Sequence, residues 1–392
     1  MSPPHSGFAC GDSPRRAERV PGPSRPHAVG RPPDGQAIVY CDGALGTTNG
    51  KTAHGLLRRS ERYVIVAVVD RDHAGADAGE VFDGRPIGVP VCANVQEAIE
   101  NSRRHGRPAT HLVVGLAPDG GRLSARARED IKSAIRLRLH VDCGLHDFLG
   151  DDPELSALAA RHGVVLRDVR RTPPRGELHS FTGKIEQVTC LKVAVLGTDS
   201  AVGKRTTAWK LVDGLRAAGV SAELVGTGQT AWLQGARYSL MLDSLVSDFM
   251  AGEIEHAVFS AFNDLHPEVI VIEGQGSLMN PAYPGGYEIL AAGRPDVVVL
   301  QHAPARKEYD GFPGYPIHPI KTQIAALQLV SGRPVIAITI NHEGLNDAQR
   351  IEACRELRER TGLPVCDVLL DGPDVLVAAV RPHLRKTIPV CR

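Results

Sequence analysis

The stretch Leu196-Gly197-Thr198-Asp199-Ser200-Ala201-Val202-Gly203-Lys204-Arg205-Thr206-Thr207 follows the apolar run Lys192 to Val195 and leads into a helical pattern. No other feature narrows the possible folds as far. A strand, a glycine-rich turn and a helix in that order let successive backbone N–H groups converge on a diphosphate. The helix N-terminus and a lysine add positive charge. Two departures from the usual form matter. Five residues separate Gly197 from Gly203, and Arg205 stands directly after Lys204, where a Ser or Thr hydroxyl ordinarily holds Mg²⁺. A phosphate cradle is therefore expected over the whole run from Gly197 to Thr207, with its metal ligand displaced.

A cradle of this type needs a parallel sheet around it, and the chain supplies the pattern twice. Ala37 to Tyr40, Val64 to Val69, His111 to Leu116 and Val164 to Leu166 read as strands, with helical stretches at Thr52 to Arg59, Val95 to Arg103 and Ser124 to Arg138. Further strands are expected at Lys192 to Leu196, Ala222 to Val225, Glu268 to Ile272, Asp296 to Gln301, Val335 to Ile340 and Val365 to Leu370. The helical patterns of this half include Thr206 to Ala218, Leu240 to His256 and Asp347 to Thr361. The fold class is thus α/β, with two doubly wound parallel-sheet domains, Rossmann-like followed by P-loop NTPase-like. The chain's 392 residues exceed one ordinary core. The expected divisions are a disordered Pro/Arg-rich extension over 1–35, a Rossmann-like domain over 36–170, a linker over 171–190 and the P-loop domain over 191–392.

Composition narrows the partners. Lys+Arg and Asp+Glu balance at 45 each, which gives no global field for nucleic acid or anionic membrane, so a small molecule is the expected partner. No apolar segment reaches the roughly 20 residues of a membrane span, and no signal-peptide core stands near the start. The eight cysteines are dispersed and show no zinc spacing, so reduced thiols, a cytoplasmic location and no bound metal are expected. In the first half, Gly50-Lys51-Thr52 and Asp70 each resemble part of a nucleotide site. Neither completes a fingerprint, and both read as turn and helix-start chemistry.

In open parallel sheets the ligand crevice lies beyond the strand C-termini, so the residues after each strand should meet there. Glu273 ends an apolar run and precedes glycines, as an acid that holds Mg²⁺ through water or takes a substrate proton would. The turn Gly226-Thr227-Gly228-Gln229-Thr230 is expected to approach the ligand closely, as is Gln275-Gly276. Asp243 falls in the following helical pattern. Gln301-His302 leads into a cationic, Pro/Gly-rich loop in which Arg306 can clamp a carboxylate, and Asn341 follows the fifth strand at the cofactor side.

The loop with Glu273-Gly-Gln-Gly is similar to the dethiobiotin synthetase branch of P-loop proteins, which carry Thr directly after the lysine. The set Gly197 to Thr207, Gly226-Thr-Gly-Gln-Thr230, Glu273-Gly-Gln-Gly-Ser277 and Gln301-His-Ala-Pro more closely resembles a bacterial family formerly of unknown function, over residues 37 to 390. That family includes a D-glutamate N-acetyltransferase. The resemblance implies acetyl-CoA as donor and an amino acid as acceptor. Coenzyme A carries a diphosphate, and acetyl transfer needs no Mg²⁺, so Arg205 would be tolerated. On this reading Glu273, His302 or Asp243 is the base, and Arg306 with Arg237 binds the acceptor. Gly228, Gln229, Thr230, Gln275 and Gly276 line its site. The alternatives are a Mg-ATP-dependent ligase or kinase, with Thr206 reaching the metal, and a nucleotide sensor without turnover. Two α/β domains sharing a crevice commonly assemble further, so a homo-oligomer is expected.

Overall fold

Alternating side-chain direction along short β-branched strands sorts the first domain into two layers of helix over one sheet. The computed structural model describes residues 32–384. Strands β1 (Gly35–Tyr40), β2 (Tyr63–Val69), β3 (Val91–Cys92), β4 (His111–Val114), β5 (His140–Cys143) and β6 (Leu166–Asp168) form a parallel sheet in the order β3-β2-β1-β4-β5-β6. Helices α1 (Lys51–Arg58), α2 (Ala78–Asp83), α3 (Val95–Arg104), α4 (Ala125–Arg136) and α5 (Pro153–His162) cover it. Ala37 and Val39 pack with Ala53 and Leu56 of α1, whereas Ile38 and Tyr40 pack with Ile131 and Ile135 of α4. The strand order reverses between β1 and β4, and α1 starts at that switch point, where its Ala53 N–H donates to Gly115 O beyond β4.

The second domain is built the same way. Strands β7 (Leu191–Gly197), β8 (Ala222–Gly226), β9 (Tyr238–Ser239), β10 (Val269–Glu273), β11 (Val297–His302), β12 (Val335–Ile340) and β13 (Val365–Cys366) run parallel in the order β13-β12-β11-β7-β10-β8-β9. The helices are α6 (Lys204–Ala217), α7 (Gln229–Gln234), α8 (Ser247–Leu265), α9 (Tyr287–Ala292), α10 (Ile320–Ser331), α11 (Asp347–Thr361) and α12 (Asp374–Val380). All seven residues of β7 are buried. Val193 and Val195 lie under α6, and Ala194 and Leu196 face the layer of α8 to α11.

Two elements differ from the sequence pattern. The helix expected from Leu240 begins only at Ser247, because the N–H groups of Leu240 and Leu242 donate to the carbonyls of Gly226 and Thr227 and hold this segment along the end of β8. Asp243 therefore sits in a short 3-10 turn, Leu242–Ser244, ahead of the helix. The last strand stops at Cys366 because the buried Asp367 carboxylate takes the N–H groups of Leu369 and Leu370 and turns the chain. Between β6 and β7 the connection is strapped to α8, where the Glu255 carboxylate accepts from Thr182 and Ile185. The extension expected over 1–35 lies almost wholly outside the described residues, as do residues 385–392.

Candidate active site

Gly197 closes β7, and Lys204 folds back across it. A Cβ on Gly197 would lie 2.9 Å from Lys204 Cδ and 3.0 Å from its Nζ, so only glycine leaves room for the lysine. The chain re-enters α6 through Gly203, whose φ of 107° favours glycine. Lys204 Nζ donates to Asp199 O at 2.7 Å and to Gly276 O at 2.8 Å. Burial lowers its pKa to about 8, although the charges of Asp199 and Glu273 pull the other way. Thr207 Oγ1 donates to Gln301 Oε1, which ties the first turn of α6 to β11. Thr206 points along the other flank of α6, beside Trp209 and Lys210.

Asp199 is fully buried and organises the cradle. Its Oδ1 accepts from Ser200 N at 2.7 Å and Asn280 Nδ2 at 2.9 Å, and its Oδ2 from Arg306 at 3.1 Å and Asp310 N at 2.9 Å. Three loops thus hang on one carboxylate. Arg306 also donates to Ser200 O at 2.9 Å and to Glu343 at 2.9 Å. Arg306 therefore braces the loop from outside, with its guanidinium spent on Asp199 and Glu343.

The alternation along β10 sends Val269, Val271 and Glu273 to the α6 side, next to the cradle. Glu273 is buried. Its Oε2 accepts from Thr227 N at 3.0 Å, and Gln275 Nε2 in turn donates to the Thr227 hydroxyl at 2.9 Å. Burial raises the Glu273 pKa above the ordinary carboxylate value. Arg205, the Thr227 N–H and Lys204 offset part of that rise, and Asp243 adds to it. A carboxylate with raised proton affinity is suited to take a proton.

Arg205 reaches from the start of α6 into the first domain. A Cβ on Gly55 of α1 would come within 2.7 Å of its guanidinium, and the Lys51 carbonyl lies 3.5 Å away. Its Nε is shut off from solvent with no hydrogen-bond partner among the described residues. Thr52 and Thr230 share a hydrogen bond of 3.2 Å across the same junction, and the Lys51 charge acts on Lys204. The first domain thus brings a cation and a helix start to the P-loop, a contribution that the reading of Gly50-Lys51-Thr52 as local turn chemistry missed. Asp70 does serve local structure: its oxygens take Leu45 N, Asp72 N and His73 Nδ1.

The other expected residues separate into two groups. Thr198, Ser200, Ala201, Val202, Gly228, Gln275 and Gly276 surround the cradle. At Gly276, which has φ 46°, an added Cβ would lie 2.0 Å from Tyr283 O, so the turn that presents its carbonyl to Lys204 requires glycine. Gln229 and Asp243 are both held by Arg170, at 2.9 and 2.8 Å, and join the two domains. His302 Nδ1 shares a hydrogen bond of 2.9 Å with Thr198 Oγ1, and burial pushes its pKa down to about 4, so its ring is neutral. Asn341 Oδ1 caps its own turn at Glu343 N. Arg237 lies apart from the cradle: it is exposed just before the edge strand β9, against Tyr238 and Asp264 near the end of α8.

A Rossmann-like domain closing on a P-loop domain, with an arginine in place of the metal-binding hydroxyl, defines a distinct class of two-domain P-loop protein. The chain belongs to the DUF1611 family. Residues 179–377 match its domain of unknown function described as the P-loop domain DUF1611_C, and residues 71–172 match the Rossmann-like domain DUF1611_N. A protein of Tritonibacter scottomollicae named D-glutamate N-acetyltransferase is 32% identical over 305 residues, 75% of this chain and 88% of its own. One of the same name from a Pseudoalteromonas species is 31% identical over 277 residues, 69% and 81% of the two chains. The crystal structure of a DUF1611 family protein from Anabaena variabilis matches with a TM-score of 0.81 and 31% identity, covering 88% of this chain and 99% of that one. Among the described residues no helix is long and apolar enough to cross a membrane.

Proposed function

We propose that this chain is an amino-acid N-acetyltransferase that takes its acetyl group from acetyl-CoA, with D-glutamate as the first acceptor to test. The name carried by the two relatives supports acetyl transfer to an amino acid. The observation that carries the reading in this chain is the placement of Arg205 and Glu273. An arginine stands at the sequence position of the usual metal ligand, and its charge acts on a buried carboxylate whose proton affinity is raised. The cradle and Lys204 would hold the diphosphate of the donor without a metal. Lys204 and Arg205 both act on Glu273, and this positive charge suits an acidic acceptor beside an anionic donor.

Glu273 takes one proton from the acceptor ammonium and leaves a neutral amine. The amine nitrogen attacks the thioester carbonyl; a C–N bond forms and the carbonyl oxygen gains negative charge. Backbone N–H groups of the Gly274 to Gly276 turn would stabilise that charge. On collapse the C–S bond breaks, and the second nitrogen proton passes to the leaving thiolate. The test is incubation of the purified chain with acetyl-CoA and a panel of D- and L-amino acids, with N-acetylated product read by mass spectrometry. Product from an acidic amino acid is expected; no product from any member would sink the reading.

A further inference from the structure

Beside the cradle, on the opposite flank of the first turns of α6, lies a cavity of about 300 Å³. The function above does not use it. Thr206 and Lys210, one helical turn apart, line it together with Arg85 from the segment after α2. Four basic side chains line it against two acids, and the acids are already paired: Arg58 with Asp83 at 2.8 Å, and Arg59 with Asp213. Among the described residues Arg85 and Lys210 have no carboxylate within ion-pair distance. The far wall is apolar at Leu369 and Leu370. It also carries His342, whose Nδ1 is bonded to the fully buried Asp367; the ring is fixed, and Nε2 is the nitrogen left to the cavity.

We infer that this cavity binds the nucleoside end of the donor, with Arg85, Lys210 and His342 recognising a phosphate on the 3′ position of its ribose. The inference rests on the acetyl-CoA reading and extends it. Lys204 and Lys210 are six residues apart on one helix, roughly 9 Å of rise. A ligand whose 5′ diphosphate lies on the cradle therefore places its ribose and base against Thr206 and Lys210. Leu369 and Leu370 offer the base a non-polar surface. The two unpaired cations and the fixed imidazole offer charge and directed hydrogen bonds to a dianionic group. A plain nucleoside diphosphate would leave Arg85 and Lys210 without an anion. The geometry points to a 3′-phosphorylated nucleotide over ATP.

The experiment is calorimetric titration of the full chain with adenosine 3′,5′-bisphosphate and with adenosine 5′-monophosphate. The same titrations are made on the Arg85→Ala/Lys210→Ala double variant. Both side chains are on the surface, and an unchanged melting temperature verifies the fold. The native chain should prefer the bisphosphate by about tenfold or more, and the double variant should bind the two alike. Equal binding by the native chain, or a preference that survives in the double variant, would overturn the inference. Acetyl transfer is read separately: equal kcat/KM from acetyl-CoA and 3′-dephospho-acetyl-CoA defeats the inference and leaves the acetyltransferase reading intact. The nucleotide preference without any acetyl transfer does the reverse.

Discussion

Thr227 holds Glu273 twice: its N–H donates to Oε2 and its hydroxyl to the backbone carbonyl, both at 3.0 Å. One residue at the end of β8 thereby fixes the side chain and the main chain of the last residue of β10. Such a carboxylate is aimed, and its burial keeps its proton affinity above the ordinary value although Arg205 pulls it down.

Replacing Glu273 by Gln preserves shape and removes the base. The expected result is a fall in kcat of roughly 10²- to 10⁴-fold with little change in KM for acetyl-CoA. A base works only when deprotonated, so kcat/KM of the native enzyme should fall as pH drops through the raised Glu273 pKa. That acid limb should lie above the usual carboxylate range. The variant should lack it.

Lys204→Ala removes the cation of the cradle. Hydrogen bonds to charged groups contribute about 1.5 to 3 kcal/mol, so KM for acetyl-CoA should rise roughly ten- to hundredfold. Gly197→Ala should act in the same direction, since its Cβ would displace the lysine stem. Steady-state kinetics with varied donor reads both.

Asp199→Ala leaves the loop N–H groups and Arg306 without their shared acceptor. Breaking a buried pair of this kind costs roughly 3 to 5 kcal/mol. Urea denaturation should show a loss of that order, with weaker donor binding. A loss below 1 kcal/mol, roughly the scale of a surface pair, would contradict the role given to Asp199.

His302 provides a pH test of stability. Its folded pKa is depressed by burial to about 4 from the ordinary 6.5, so between those values the unfolded chain binds a proton that the folded chain does not. Its contribution is complete above pH 6.5 and is lost as pH falls towards 4, by up to about 1.4 kcal/mol per pH unit. His302→Gln should lose less stability between pH 7 and pH 5 than the native chain does. Thermal melts at the two pH values decide it.

The strands of the second domain were legible because Val269 to Ile272 and Val335 to Ile340 are continuous β-branched runs, and the cradle announced itself through its glycines. An element two residues long, such as β3, is set by tertiary pairing and leaves little trace, and for the same reason the end of β13 was overdrawn. The bracing contacts of Arg306 were not legible for a related reason: its partner Asp199 lies 107 positions away, and nothing local announces the pair. Lys51 and Thr52 look like a helix start in isolation. Their meeting with Lys204 and Thr230 belongs to the docking of two sheets, which no single segment encodes.

The most direct measurement follows thiol release from acetyl-CoA with D-glutamate, with and without EDTA, beside a parallel assay for ADP formed from ATP. The account predicts acceptor-dependent thiol release that EDTA leaves unchanged, and no ADP. Substrate-dependent ADP formation abolished by EDTA, with acetyl-CoA untouched, would contradict it.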